Sequence, residues 1–275
     1  MLWEINLIFL CVAAQHNSRR IVAVDHPRPR VSRRIGIRDD ELSKVTLPMT
    51  EHTAERTDEQ EVERIGLVSD IHANAVAFEA VLEAMPDVDA LVHAGDVIGY
   101  GPSPNRCIEL LRTHDAYSVR GNHDEGLFGG QVYESGDEYA VETVTDANRA
   151  WLEACPAELS VANGQVKVVH GNPEDRFRYT YPRDFQPDLL GDEELLVLGH
   201  THYQEKSVFD DGTIVNPGSV GQPRDGNPDA AFAVVDLDGI EVTLHRVSYD
   251  IGTVQQRIEE APIGEYNARR LEKGT

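Results

Sequence analysis

Apolar runs of four to seven residues recur along the chain between Gly, Pro, Asn and Asp, and their spacing alternates between strand and helix periods. "RIGLVSD" (64–70) reads as a buried strand. Residues 75–85 then place Val76, Ala80, Val81 and Ala84 on one helical face, with Asn74 suited to cap it. "ALVHAGD" (90–96) is a second strand, and a Gly/Pro loop leads to a helix starting near Pro104. "AYSVRGNHD" (116–124), "QVKVVHG" (165–171) and "ELLVLGHTH" (194–202) supply three more strands. A helix over 145–155 stops before Pro156. Farther on, "KSVFDDGTIVN" reads as a hairpin with an Asp-Gly turn, "AAFAVVDLDGIEVTLHRVSYD" as a second hairpin, and 251–260 as a closing polar helix. Strand–helix alternation followed by hairpins predicts two sheets packed together with helices outside.

Charge divides the chain unevenly. The first 48 residues carry 8 basic and 5 acidic side chains, so nearly all of the net charge of −23 falls on the rest. "INLIFLCVAA" (5–14) is too short to span a bilayer and lacks the basic start of a secretory signal. No periodic apolar face appears before about residue 62. Residues 1–61 are therefore expected to form a disordered extension, or to be translated from a start placed too far upstream of Met49. The folded domain is expected over 62–275. So acidic a body repels nucleic acid and anionic membranes, which argues against both as partners. Lys is rare, at 4 against 21 Arg, a composition that a salt-adapted cytoplasm would favour. Three cysteines (Cys11, Cys107, Cys155), odd in number and without metal-type spacing, fit a reduced, cytoplasmic setting. A homo-oligomer is compatible with all of this.

Five of the apolar runs end in the same chemistry: Asp70-Ile-His72, Gly95-Asp96, Gly121-Asn122-His123-Asp124, His170-Gly171 and Gly199-His200-Thr201-His202. Side chains released at the carboxyl ends of neighbouring strands can converge on one point. Taken singly, each run is an ordinary cap or turn. Together they make a set of oxygens and nitrogens without sulfur, which suits Mn, Fe or Zn in a hydrolytic site. Seven such ligands exceed what one ion takes and suffice for two. His93, by contrast, lies inside an apolar run and reads as a core residue.

Residues 64–245 resemble the calcineurin-like metallophosphoesterases, whose pattern of D-x-H, GD, GNH[DE], H and GHxH is present in order. "GDVIGYGPSPNRC" and "NPGSVGQPR" are most similar to the small bacterial and archaeal phosphodiesterase-like branch, which also includes a retromer subunit acting as a scaffold. The resemblance implies an α/β (α+β) fold, a four-layer αββα sandwich of two mixed β-sheets flanked by helices. It implies two divalent metal ions, Mn²⁺ first, with Fe, Zn, Ni or Co as alternatives. Asp70, His72 and His202 would hold one ion, Asn122, His170 and His200 the other, and Asp96 would bridge them. His123 would face the substrate, and a hydroxide between the ions would be the nucleophile. Tyr100, Asn105 and Arg224 are expected to shape substrate access or contact its phosphate. The Asp-Arg pair of the family's protein phosphatases is absent, since Gly99 and Tyr100 stand there. That favours a small phosphate ester, a phosphodiester or nucleotide, over a phosphoprotein. A dinucleoside polyphosphate, a phosphomonoester and a scaffold role remain as alternatives.

Overall fold

The computed structural model describes residues 62–275; the expectations for residues 1–61, Cys11 among them, lie outside the described residues. Ten strands form two five-stranded sheets. The first contains β1 (Arg64–Val68), β2 (Ala90–His93), β3 (Tyr117–Ser118), β9 (Ala230–Asp236) and β10 (Glu241–Val247). Its order is β10-β9-β1-β2-β3, parallel across β1-β2-β3 and antiparallel across β1-β9-β10. The second contains β4 (Glu158–Val161), β5 (Val166–Val169), β6 (Leu195–Val197), β7 (Glu205–Phe209) and β8 (Gly212–Asn216). Its order is β4-β5-β6-β8-β7, parallel only across β5-β6-β8. Both sheets are mixed.

The period of two decides what fills each layer. Ile65 and Leu67 of β1, Val92 of β2, Val166 and Val168 of β5 and Leu195 and Val197 of β6 meet between the sheets. The alternate residues, Val68 and Leu91, turn to the outer face of the first sheet. There they meet α1 (Ala75–Ala84), α2 (Pro104–Thr113), α3 (Ser135–Thr143) and α4 (Asp146–Ala154) through Phe78, Ile108, Ala140 and Leu152. The outer face of the second sheet is covered by short 3-10 turns, with Phe185, Leu189 and Leu190 against Leu196 and Ile214. Two C-terminal helices, α5 (Ile251–Glu260) and α6 (Glu265–Leu271), build a small core of their own around Val254, Ile258 and Leu271. Asn74 caps α1 as expected, its side chain accepting from the Ala77 N–H at 3.1 Å.

Three details differ from the sequence reading. The first hairpin turns on Asp210 and Asp211, with Gly212 already paired to Phe209. The helix over 251–260 does not close the domain, because α6 follows it. Most tellingly, every strand that carries site residues ends early: β1 at 68 rather than 70, β3 at 118 rather than 124, β6 at 197 rather than 202.

Candidate metal centre

The strands end early because the polar residues leave the sheet. Asp70, His72, Asp96, His200 and His202 have φ of 51°, 47°, 58°, 66° and 61°, in the left-handed region that no strand continues through. Asp and His tolerate it better than most residues, yet it costs on the order of 1–2 kcal/mol each. The surroundings hold them there. The 70–73 turn is bonded to the 95–97 turn by Asp70 N–H to Gly95 O (2.9 Å), His72 N–H to Asp96 O (3.1 Å) and Ala73 N–H to Val97 O (2.8 Å). Behind the second turn, the buried Asp124 carboxylate accepts four backbone N–H groups, from Asp96, Val97, Ile98 and Gly121. Burial and the charge of Asp96 nevertheless push Asp124 up to about 7. Asp70 accepts from Ser69 Oγ (2.6 Å) and from the His200 N–H (3.1 Å), which ties β1 to the loop after β6.

Among the described residues four groups have ligand atoms within 4.8 Å of one another. Two are the clusters Asp70, His72 and His202, and Asp96, His170 and His200; the other two join His123 to His72 and Asp96 and to Glu134 and Asp137. All six residues of the two clusters are buried. Their hydrogen bonds fix where the ring protons sit. Nδ1 of His72, His170 and His202 faces the carbonyl oxygens of Ile98 (2.9 Å), Ala94 (2.8 Å) and Gln222 (2.5 Å). A carbonyl only accepts, so each Nδ1 carries a hydrogen and each ring points its Nε2 inward, as a lone pair wherever the ring is neutral. Those inward atoms meet further acceptors. His72 Nε2 is 3.0 Å from His202 Nε2, and the two lie 3.7 and 3.3 Å from Asp70 Oδ1. His170 Nε2 is 3.2 Å from Asp96 Oδ2 and 3.3 Å from Asn122 Oδ1. His200 donates from Nε2 to Phe177 O (3.0 Å), leaving its Nδ1 lone pair toward Asn122. Turning the Asn122 amide over would let its nitrogen donate to His200, His170 and Asp96 at 2.9–3.3 Å. The oxygen-inward orientation is the one a cation between these groups selects.

Charge states agree with ligand duty. Burial lowers His72 and His202, and with help from His170 it drives His200 down to about 3, so these three stay neutral. Asp70 and Asp96 are held low by His202 and His170 against the effect of burial. His170 moves the other way. Burial opposes its charge, but the neighbouring Asp96 carboxylate outweighs it and raises His170 to about 9. Asp96 Oδ2 also lies 3.9 Å from His72 Nε2, so it reaches both clusters. Facing lone pairs on imidazole and carboxylate, with no thiol among them, fit two divalent ions of borderline hardness.

His123 stands beside the clusters. Its backbone N–H donates to Asp96 Oδ1 (2.9 Å), and its Nδ1 bonds Asp137 Oδ1 at 2.6 Å. Burial works against a charged ring, but Asp96 and Asp137 outweigh it and raise the His123 pKa. The other Asp137 oxygen accepts from the Tyr133 N–H (2.8 Å), fixing the carboxylate. The Tyr100 ring lies 4.7 Å from both His72 and His123, and Arg224 sits over it at 5.5 Å. Asn105 is elsewhere. Its amide donates to Thr143 O (2.8 Å) and accepts from the Thr145 N–H (3.0 Å) and Asn148 Nδ2 (2.9 Å), clipping α2 to the turn between α3 and α4. Sequence reasoning gave Asp124 no role within its run and passed over Asp137 and Glu134. Glu134, in "ESGD", caps α3 and accepts the Tyr100 N–H at 2.8 Å. A capping pattern there could have revealed the helix, but nothing local ties its acids to His123.

Two sheets that deliver such donors to one point define a metal-dependent hydrolase. The chain belongs to the calcineurin-like phosphoesterase superfamily, whose domain pattern matches residues 64–239. An uncharacterized protein of Methanocaldococcus jannaschii, MJ0912, is 30% identical over 235 residues, covering 75% of this chain and 96% of that protein. The phosphodiesterase YfcE of Escherichia coli is 27% identical over 194 residues, 65% of this chain and 90% of YfcE. The crystal structure of a metallophosphoesterase from Sphaerobacter thermophilus superposes with a TM-score of 0.70 at 33% identity, covering 78% of this chain and all of that one. The protein is accordingly a metal-dependent phosphoric ester hydrolase. Among the described residues, no helix is long and apolar enough to cross a membrane.

Proposed function

We propose that the protein hydrolyses a small phosphate ester, a phosphodiester or nucleotide. The observation that carries this is the convergence of four imidazoles, two carboxylates and one amide oxygen on a buried point. Asp70, His72 and His202 would hold one divalent ion and Asn122, His170 and His200 the other, with Asp96 shared; Mn²⁺ suits the donors, as do Fe, Zn, Ni and Co. When bound, the ions supply positive charge for the phosphoryl oxygens and lower the proton affinity of water held between them.

The chain's own residues do the rest. His123, whose protonated form Asp96 and Asp137 favour, holds its Nδ1 on Asp137 and can protonate the leaving oxygen from Nε2. Arg224 adds a guanidinium at the rim, and among the described residues no carboxylate forms an ion pair with it. Tyr100 forms the wall between them. Asn105 spends its polar atoms inside the fold and is left out of the substrate contacts. Cys107 and Cys155, free and buried, suit a cytoplasmic location.

Purified protein with Mn²⁺ is expected to turn over bis-p-nitrophenyl phosphate, its monoester, or both. His123→Ala should lose that turnover while metal analysis still finds the ions. Protein that takes up no divalent metal would sink the reading.

A further inference from the structure

The family's domain pattern matches residues 64–239, yet the chain goes on to fold two helices beside the site. Val254, Ile258 and Leu271 of α5 and α6 gather with Val76 of α1 and Tyr139 of α3, so apolar burial holds the pair against the flank of the metal centre. Helix α6 then turns one polar side chain inward. Asn267 is 5% exposed and donates from Nδ2 to Glu134 Oε2 at 2.6 Å. The same nitrogen lies 3.4 Å from the carbonyl oxygen of Tyr100. A primary amide carries two N–H bonds, so one group can serve both acceptors.

Glu134 is where these contacts gather. Its Oε1 accepts from the N–H groups of Tyr100 (2.8 Å) and Asp137 (3.0 Å), and its Oε2 from the Gly136 N–H (2.8 Å) and from Asn267. Three of those donors are backbone; the fourth is the amide from α6. The carboxylate thereby joins two segments that meet at His123. Asp137 holds the His123 ring through Nδ1, and the Tyr100 ring lies 4.7 Å from it. Tyr100 has φ of 56°, a conformation a tyrosine keeps only where its surroundings impose it. Both its backbone polar atoms are held, the N–H by Glu134 and the carbonyl by Asn267. The packing is also close. A Cβ at Gly136 would lie 2.5 Å from the Tyr100 nitrogen, and one at Gly99 would lie 2.8 Å from His123 Nδ1. Glu134 cannot shift without carrying these neighbours along.

We infer that Asn267 is a positioning residue, which through Glu134 sets Asp137 and Tyr100 and so the place of the His123 ring beside the leaving oxygen. The inference rests on the phosphoesterase reading and gives the C-terminal helices a part in its chemistry. An amide suits the post, because a carboxylate there would repel Glu134 and an alkyl group would leave its oxygen short of a donor.

A weakly basic leaving oxygen departs without help and a strongly basic one needs the proton, so a misplaced acid shows as a difference between esters. The full chain with Mn²⁺ is assayed on p-nitrophenyl phosphate and phenyl phosphate, and on the corresponding diaryl diesters. His123→Ala sets the size of the difference. Asn267→Asp is expected to lower kcat about tenfold on the phenyl ester and about threefold or less on the p-nitrophenyl ester, with KM and metal content unchanged. Asn267→Ala should show the same pattern, and it serves if the added carboxylate stops the protein folding. Gln255→Ala removes a hydrogen bond from α5 to the Ala268 carbonyl of α6, away from Glu134 and Tyr100, and should leave both rates as in wild type. Equal losses on the two esters overturn the inference, since they would make Asn267 a brace for the fold and nothing more. So does an absence of loss on either, or the same ester difference in Gln255→Ala. Wild type that hydrolyses none of these esters brings down the phosphoesterase reading and the inference with it; wild-type turnover with an unchanged ester ratio in the Asn267 variants removes the inference alone.

Discussion

His123 and Asp137 make up a unit whose strength depends on one charged hydrogen bond of 2.6 Å. General acid catalysis contributes typically 10²–10⁴-fold, so His123→Ala should lower kcat by about that much with metal content unchanged. Asp137→Asn keeps an oxygen for the ring but removes the charge that helps raise its pKa. About ten- to a hundredfold in kcat is expected to go, as for other residues that orient a reacting histidine. A pH–rate profile would distinguish this from general damage, because the limb assigned to His123 should move to lower pH. A different histidine sets a stability limit. His93 is fully buried, and burial lowers its pKa to about 4. Above pH 6.5 it is neutral folded or unfolded and has no effect. As pH falls from 6.5 toward 4, the unfolded chain takes up the proton first and folding weakens. Urea unfolding at pH 7 and pH 5 should show about 2 kcal/mol of loss from this group, and His93→Leu should lose that much less between the same two pH values. His93 was legible as a core residue because it interrupts an apolar run; Asp137 was not legible, because its partner lies 14 positions away and only the tertiary fold joins them.

At the level of elements, the site is made where strands stop, and the stopping is enforced by close backbone approach. Gly221 shows how closely. A Cβ there would lie 1.9 Å from the carbonyl oxygen of Ile71 and 3.1 Å from the Asn74 side chain, in the turn that carries Asp70 and His72. Backbone cannot yield as a side chain can. Gly221→Ala is expected to cost about 1–3 kcal/mol by overpacking and to reduce metal uptake, since the displaced turn holds two ligands. Gly126→Ala, whose Cβ would meet nothing closer than 3.4 Å, should leave metal uptake as it was. Chemical denaturation and metal titration of both variants check this. The same elements show what patterning can reveal. β1, β2, β9 and β10 were plain because long apolar or alternating runs outweigh local noise. α3 and β4 were hidden. "SGDEYAVET" spends a Gly and an Asp in its first turn and is held by the Glu134 cap and by packing, not by a face of apolar residues. "ELSV" is four residues long, and only Val168 and its neighbours across the ladder make it a strand. The strand ends were read too long for a related reason: a run of letters gives no sign that Asp or His will adopt positive φ.

For the whole molecule, the decisive fact is that the converging donors come from both sheets. Asp70, His72, Asp96 and Asn122 follow β1, β2 and β3 of the first sheet; His170, His200 and His202 follow β5 and β6 of the second. Between the sheets the packing is largely apolar, and other polar links lie at the periphery, such as Gln165 Nε2 to Leu237 O (3.2 Å) and Gln204 Nε2 to Phe232 O (3.0 Å). Without a cation the convergence of donors opposes folding, because the facing Nε2 atoms of His72 and His202 have no hydrogen between them and two carboxylates are buried beside them. Ions bound there are linked to folding and join the sheets. At a concentration a hundred times its dissociation constant, one ion adds about 2.7 kcal/mol. For a domain of this size that raises Tm by about 5–10 °C, and a second ion adds to it. Protein stripped with a chelator and then supplied with Mn²⁺ should show this rise, and Asp96→Ala, which removes the shared carboxylate, should show little of it. The net charge of −23 supplies the control. Any cation screens the mutual repulsion of an acidic surface, so KCl at matched ionic strength should raise Tm by the same small amount in wild type and variant. If Mn²⁺ acted only through that screening, the two proteins would respond to it alike, and the claim that one shared metal site fastens the two sheets would fail.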